Sequence, residues 1–158
     1  MRKIPAILAT LALASLGAIF PATTAQAAAN CSDNYTAAKS GYMYAYKHAY
    51  CESHLGNSAS WDSDWGNSSG PFQGGDTNEA SSILNKGNDY ELQFFNGTGQ
   101  DWAGGHICLS RDEAYASNLN NDEFHNNTGP EDEGKANDAI SSHRWVAPNS
   151  NNCARWAT

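Results

Sequence analysis

Two short stretches carry oxygen donors at the same spacing. Asn137-Asp138-Ala139-Ile140-Ser141-Ser142 sets a carboxamide and a carboxylate before a pair of hydroxyls. Thr77-Asn78-Glu79-Ala80-Ser81-Ser82 repeats the pattern, with Thr77 in the first place. The chemistry open to such a set is capture of a hard cation. Calcium takes six to eight oxygens at roughly 2.3–2.6 Å, and a turn rich in side-chain and carbonyl oxygens, followed by a strand hydroxyl, supplies several. The other reading is that both stretches only fold. Asn and Asp cap turns through their side chains, and a Ser-Ser pair stitches a loop by hydrogen bonds.

Other chemistry finds little support. There is no G-x-S-x-G, no H-E-x-x-H and no phosphate loop. The five histidines, His48, His54, His106, His125 and His143, are dispersed and read as surface or half-buried side chains. Carboxylate pairs such as Asp62/Asp64 read as solvated, not as glycosidase acids. An EF-hand starting at Asp62 fails, because its sixth position is Asn67 where glycine is needed and its twelfth is Gln73 where a bidentate Glu is needed. The chain is therefore expected to be a non-catalytic protein.

The elements that must position the two stretches read as strands. Gly41 to Lys47 alternates, with Tyr42, Tyr44 and Tyr46 on one face. A short second strand is expected to hold Tyr50 and Cys51. Ser58 to Gly75 is a long ordered loop, because linkers rarely carry three large aromatics such as Trp61, Trp65 and Phe72. Tyr90 to Phe95 opens a second unit as Gly41 to Lys47 opens the first, and Ile107-Cys108-Leu109 follows a Gly-rich turn. Ala28 to Lys39 reads as a polar lead-in, Glu113 to Leu119 as a helical turn, and Asp122 to Ala136 as a surface loop. The order aromatic strand, cysteine, Ser-Ser occurs twice. Ser81 lies 30 residues after Cys51 (81 − 51) and Ser141 lies 33 after Cys108 (141 − 108). That order points to a duplicated unit. Short strands separated by turn signals predict an antiparallel β-sandwich with Greek-key connections.

Residues 1–27 carry the marks of a signal peptide. Arg2 and Lys3 precede an apolar run from Ile4 to Phe20, and Ala25-Gln26-Ala27 is a small-x-small cleavage site. Residues 28–158 are then one secreted, extracellular domain with no membrane attachment after cleavage. Loss of Arg2 and Lys3 leaves 7 basic against 17 acidic residues, a net charge of −10. Such a surface excludes nucleic acid as a partner, since phosphates need basic side chains. Four cysteines in an exported chain imply two disulfides, with three pairings open. Cys31–Cys51 with Cys108–Cys153 is the pairing that clips each terminus to the nearer unit. No two cysteines have zinc-site spacing.

Two units of about sixty residues, each ending in (Asn/Asp)-(Asn/Asp)-x-x-(Ser/Thr)-Ser, resemble the βγ-crystallin superfamily. The exported, disulfide-bearing layout looks most like its microbial peptidase-inhibitor family, whose type member inhibits metalloproteinases. The resemblance covers about Gly41 to Val146, with units at about 41–86 and 88–146. Asn137 to Ser142 meets the motif at every fixed position; Thr77 to Ser82 departs from it at Thr77. A second family mark, an aromatic, a spacer, an aromatic and then x-Gly, is stretched in the second unit over Phe95, Trp102 and Gly104. The first unit has Tyr46 and Tyr50 without that glycine.

The resemblance implies an all-β, double Greek-key βγ-crystallin-like sandwich, monomeric and disulfide-clipped. It implies facing turns in which each calcium site takes a hydroxyl from the other turn: Asp138 with Ser81, and Asn78 with Ser141. Backbone carbonyls near Asn137 and Thr77 would complete them. The Asp138 site, carrying a carboxylate, is expected to bind better; Asp76 and Glu79 lie close to the other in sequence. The implied partner is an exported protease. Ser58 to Gly75 and Asp122 to Ala136 are the candidate inhibitory loops. A calcium-stabilised structural or cell-surface protein is the alternative. Carbohydrate binding is a third, if Trp61, Trp65 and Trp102 form a stacking platform; a small sandwich core favours burying them instead.

Overall fold

The first turn-and-strand unit rests on a strand whose two faces do different work. A computed structural model describes residues 30–126 and 132–158; the expected signal segment lies outside the described residues. In strand β1 (Met43–His48), Met43 and Ala45 point into the main core, while Tyr44 and Tyr46 lie on the opposite face. That second face is covered by helix α1 (Cys31–Ala37), which joins Cys31, Tyr35 and Leu84 in a satellite cluster. The stretch read as a polar lead-in therefore carries a short helix. Asn30 caps it by accepting from the Asp33 amide at 2.9 Å, and a disulfide from Cys31 to Cys51 pins it.

Strand β2 (Glu52–Ser58) pairs antiparallel with β1, and β3 (Ser82–Asn85) pairs on its other side. The second unit contributes β4 (Glu91–Phe95), β5 (His106–Leu109), β6 (Tyr115–Ala116) and β9 (Ser142–Val146). Two sheets result. One has the order β2-β1-β3-β6; with β7 (Glu123–His125) and β8 (Asp132–Lys135), the other has the order β8-β7-β5-β4-β9. Strand β6 belongs to the second unit by sequence but pairs with β3 of the first. The first unit returns the exchange, because Asp62 bridges to His143 of β9. This exchange makes the connections Greek keys, and it joins the units along two seams.

Strands β7 (Glu123–His125) and β8 (Asp132–Lys135) extend the second sheet beyond β5. They correct the expectation of a surface loop over Asp122 to Ala136, five residues of which, 127–131, lie outside the described residues. The sequence shows why a loop was expected: the segment is acidic and Gly/Asn-rich, and its strand signal is short. Phe124 is nonetheless fully buried. The helical turn expected from Glu113 to Leu119 is likewise a strand, β6, followed by a 3-10 turn at Leu119–Asn121. Tyr50 and Cys51 do not extend β2. They form a 3-10 turn in the left-handed region, with φ of 62° and 60°.

The core between the sheets holds Phe94, Ile107, Leu109, Ile83 and Leu92, closed by Trp65 and Phe72 from the long loop. The rings of Trp65 and Phe72 stack at 4.0 Å. Gly56 of β2 admits that stack, since a Cβ there would lie 2.7 Å from the Phe72 ring. The C-terminal tail closes the far end. The second disulfide joins Cys108 to Cys153, and Cys108 pairs with the tail through Arg155 and Ala157 at 2.9 and 2.7 Å.

Candidate functional site

The two oxygen-rich stretches face each other across a local two-fold axis. Asn78 and Asp138 occupy equivalent places, both in the left-handed region at φ 57° and 53°, which Asn and Asp tolerate better than most residues. The Asn78 amide donates to the Ile140 carbonyl and the Asp138 amide to the Ala80 carbonyl, each at 2.9 Å. The side chains cross in the same way. Ser81 Oγ donates to Asp138 Oδ1 and Ser141 Oγ donates to Asn78 Oδ1, both at 2.9 Å.

Within each Ser-Ser pair the two hydroxyls divide their partners. The first serine crosses to the opposite turn. The second donates back to its own unit's hairpin, Ser82 to the His48 carbonyl at 2.7 Å and Ser142 to the Gly97 carbonyl at 2.6 Å. The backbone repeats the symmetry again. Trp65 N donates to Ser141 O at 2.9 Å, and Leu119 N donates to Ser81 O at 3.0 Å. Asp64 then caps Gly66, and Asn118 caps Asn120, in matching Asx turns.

The symmetry stops at the charges. Asp138 is exposed; its second oxygen, Oδ2, accepts from Asn137 Nδ2 at 2.8 Å. Asn137 Oδ1 is buried and has no hydrogen-bond partner among the described residues. On the opposite side the neighbouring carboxylates are already engaged. Asp76 accepts from the Gln73 amide at 2.8 Å, and Glu79 pairs with Lys47 at 2.6 Å. Glu79, and more weakly Asp138, hold the exposed Lys47 ammonium above its ordinary pKa. Thr77 Oγ1 reaches Ser141 Oγ at 3.3 Å, so the residue that departs from the motif still joins the network.

The aromatic-x-Gly mark survives in one unit. Phe95 and Trp102 are in contact at 5.4 Å, and a Cβ at Gly104, φ +97°, would sit 2.6 Å from Asn96 Oδ1. In the first unit Tyr50 points out and is 60% exposed, so the Tyr46–Tyr50 pair does not form. The three loop tryptophans also separate: Trp65 is fully buried, Trp61 is exposed, and Trp102 lies between.

Two histidines read as surface or half-buried are instead buried, His106 and His143. His143 Nδ1 accepts from Trp65 Nε1 at 2.9 Å, which leaves Nε2 protonated to donate to the Ser60 carbonyl at 2.9 Å. Burial pushes the His143 pKa down to about 4, against a smaller opposing effect of the Ser60 bond. Burial, then His125 and Arg144, lower that of His106. Both are neutral structural groups near neutral pH. Among the described residues no three His, Cys, Asp or Glu side chains converge on one point.

No protein-family profile matches the sequence, and no curated protein matches it. Among solved structures, one described as "Evolution of the eye lens beta-gamma-crystallin domain fold" is similar. It has a TM-score of 0.51 and 20% identity, and the match covers 70% of this chain and 89% of that one. With the exchanged strands and paired turns, this defines the class: an all-β, disulfide-bearing sandwich with the βγ-crystallin domain fold. Among the described residues no helix is long and apolar enough to cross a membrane.

Proposed function

We propose that this is an exported, monomeric, non-catalytic binding protein of the βγ-crystallin type, whose facing turns take calcium. The observation that carries the reading is the crossed pair, Ser81 to Asp138 and Ser141 to Asn78. Oxygens 2.9 Å apart can share an ion that holds each at roughly 2.3–2.6 Å. The donor set fits. Asp138 supplies the charge, Ser81 a neutral oxygen from the other unit, and Asn137 a buried carbonyl oxygen with no other partner among the described residues. Asn78 and Ser141 would serve the second site with neutral oxygens only. Bound calcium would supply charge that draws these oxygens together; the chain's part is to hold both turns in register. The disulfides support the exported reading, since such bonds persist in oxidising compartments.

Thermal melting with calcium and with chelator tests the reading. A ligand that binds only the folded state must raise stability, so an unchanged midpoint overturns it.

A protease partner is the second reading. Among the described residues β8 is the last strand of the five-stranded sheet, an edge that would accept an added strand, and this supports the reading. A panel of exported metallo- and serine proteases decides it; no inhibition at high molar excess returns the chain to the calcium-stabilised structural class.

A further inference from the structure

The long loop of the first unit does not only plug the core. Its first part leaves one indole outside, and that indole forms the wall of a cleft of about 480 Å³. Trp61 is 51% exposed. It is also held in place. Its ring meets the edge of Trp102 at 6.2 Å and 87°. Trp102 in turn rests against Phe95, with the Arg144 guanidinium 5.3 Å from its ring centre. The backbone beneath is equally fixed. Asp62 exchanges two hydrogen bonds with His143 at 3.0 and 2.8 Å, and Ser63 O accepts from Gly99 N at 2.8 Å.

Trp61 and Pro71 give the lining an apolar part, and Ser63, Asn67, Ser69 and Gln100 set uncharged polar groups beside it; Asp62 is the one charged side chain among the described lining residues. Asp62 forms the buried floor, where its carboxylate accepts from the Asp64 amide at 3.1 Å and the Phe72 amide at 3.4 Å. Gly70 passes directly above; a Cβ there would lie 2.7 Å from Asp62 Oδ2. Burial pushes the Asp62 pKa up, though both amide bonds oppose it. Among the described residues no lysine or arginine lines the cleft.

We propose that this cleft binds a pyranose unit of a neutral polysaccharide. A flat, immobilised indole offers an apolar face to the C–H side of a sugar ring. Hydroxyls and carboxamides at its margin offer the mixed donors and acceptors that sugar hydroxyls need. An anionic glycan is disfavoured by the carboxylate floor, by the lack of lysine or arginine among the described lining residues and by the acidic chain. None of the lining residues is one of the paired-turn residues Asn78, Ser81, Asn137, Asp138 and Ser141, so binding is tested without calcium.

The test is retention on insoluble cellulose, chitin and xylan and on agarose-linked glucan, with titration of the matching soluble oligosaccharides by intrinsic tryptophan fluorescence. All arms contain chelator, so a failed calcium reading leaves the result standing. The wild-type chain should be retained on at least one matrix. Trp61→Ala should weaken binding by about tenfold or more, the equivalent of losing most of one stacked apolar face. Gln100→Ala should weaken it less. Tyr90→Ala, which removes another exposed aromatic outside the cleft, should bind as wild type. Unchanged melting of Trp61→Ala would show that its loss is not unfolding. Three outcomes overturn the proposal: no retention on any matrix, equal retention of Trp61→Ala, or Trp61-dependent inhibition of a protease without polysaccharide binding.

Discussion

The Ser81 hydroxyl donates to Asp138 Oδ1 at 2.9 Å across 57 residues of sequence, from one Greek key to the other. The bond ties the two units at the place where their strand exchange begins. Its symmetry mate, Ser141 to Asn78, has the same length but ends on a neutral amide. The two crossed bonds therefore differ in charge, a carboxylate at Asp138 against an amide at Asn78.

That difference makes the turns unequal toward calcium. At a calcium concentration about one hundred times the dissociation constant, binding to the folded state should add about 2.7 kcal/mol of stability. Asp138→Ala should remove most of this gain, and Asn78→Ala a smaller part. Without calcium, Asp138→Ala should cost about 1 kcal/mol, because Ser81 loses its acceptor. Melting of both variants with calcium and with chelator checks the order. Unchanged calcium affinity in Asp138→Ala would refute the assignment.

His143 should make the fold acid-sensitive. In the unfolded chain its imidazole takes a proton near 6.5; in the folded chain it stays neutral down to about 4. Protons therefore favour unfolding as pH falls below 6.5, and stability drops by about 3 kcal/mol by pH 4 from this group. His106, also lowered, acts in the same direction. Asp62 and Asp122, whose carboxyls are raised chiefly by burial, act in the opposite sense, and only toward the acid end. Urea unfolding between pH 7.5 and 4 measures the slope. A folded-state NMR titration of His143 with a midpoint near 6.5 would contradict the mechanism.

The disulfides should differ in worth. Cys31–Cys51 closes 20 residues and Cys108–Cys153 closes 45. Constraint of the unfolded chain predicts about 3 kcal/mol for the first and about 4 kcal/mol for the second. The paired variants Cys31→Ser with Cys51→Ser, and Cys108→Ser with Cys153→Ser, test this by denaturant unfolding. A larger loss from the shorter loop would show that docking of α1 outweighs chain entropy.

Much of the candidate site was legible because its donors lie close together in sequence. Asn137 to Ser142 and Thr77 to Ser82 are six-residue stretches whose oxygen-bearing side chains stand at fixed spacing, so spacing alone marked them, although their hydroxyls bond far from their own turn. The aromatic alternation of β1 and the repeated cysteine and Ser-Ser order were legible for the same reason: a strand has period two wherever it lies. Tertiary structure decided what depends on the other side of a contact. The β1 tyrosines share a face, but only the docking of α1 shows that theirs is not the main core face. Trp61, Trp65 and Trp102 sit in similar Gly/Asn/Ser-rich sequence. Trp65 is buried because Phe72 and His143 meet it, and Trp61 is exposed because the loop has already turned outward to bridge Asp62 with β9. Strands β7 and β8 formed because the edge of β5 was there to pair with, a condition no feature of their own acidic sequence announces.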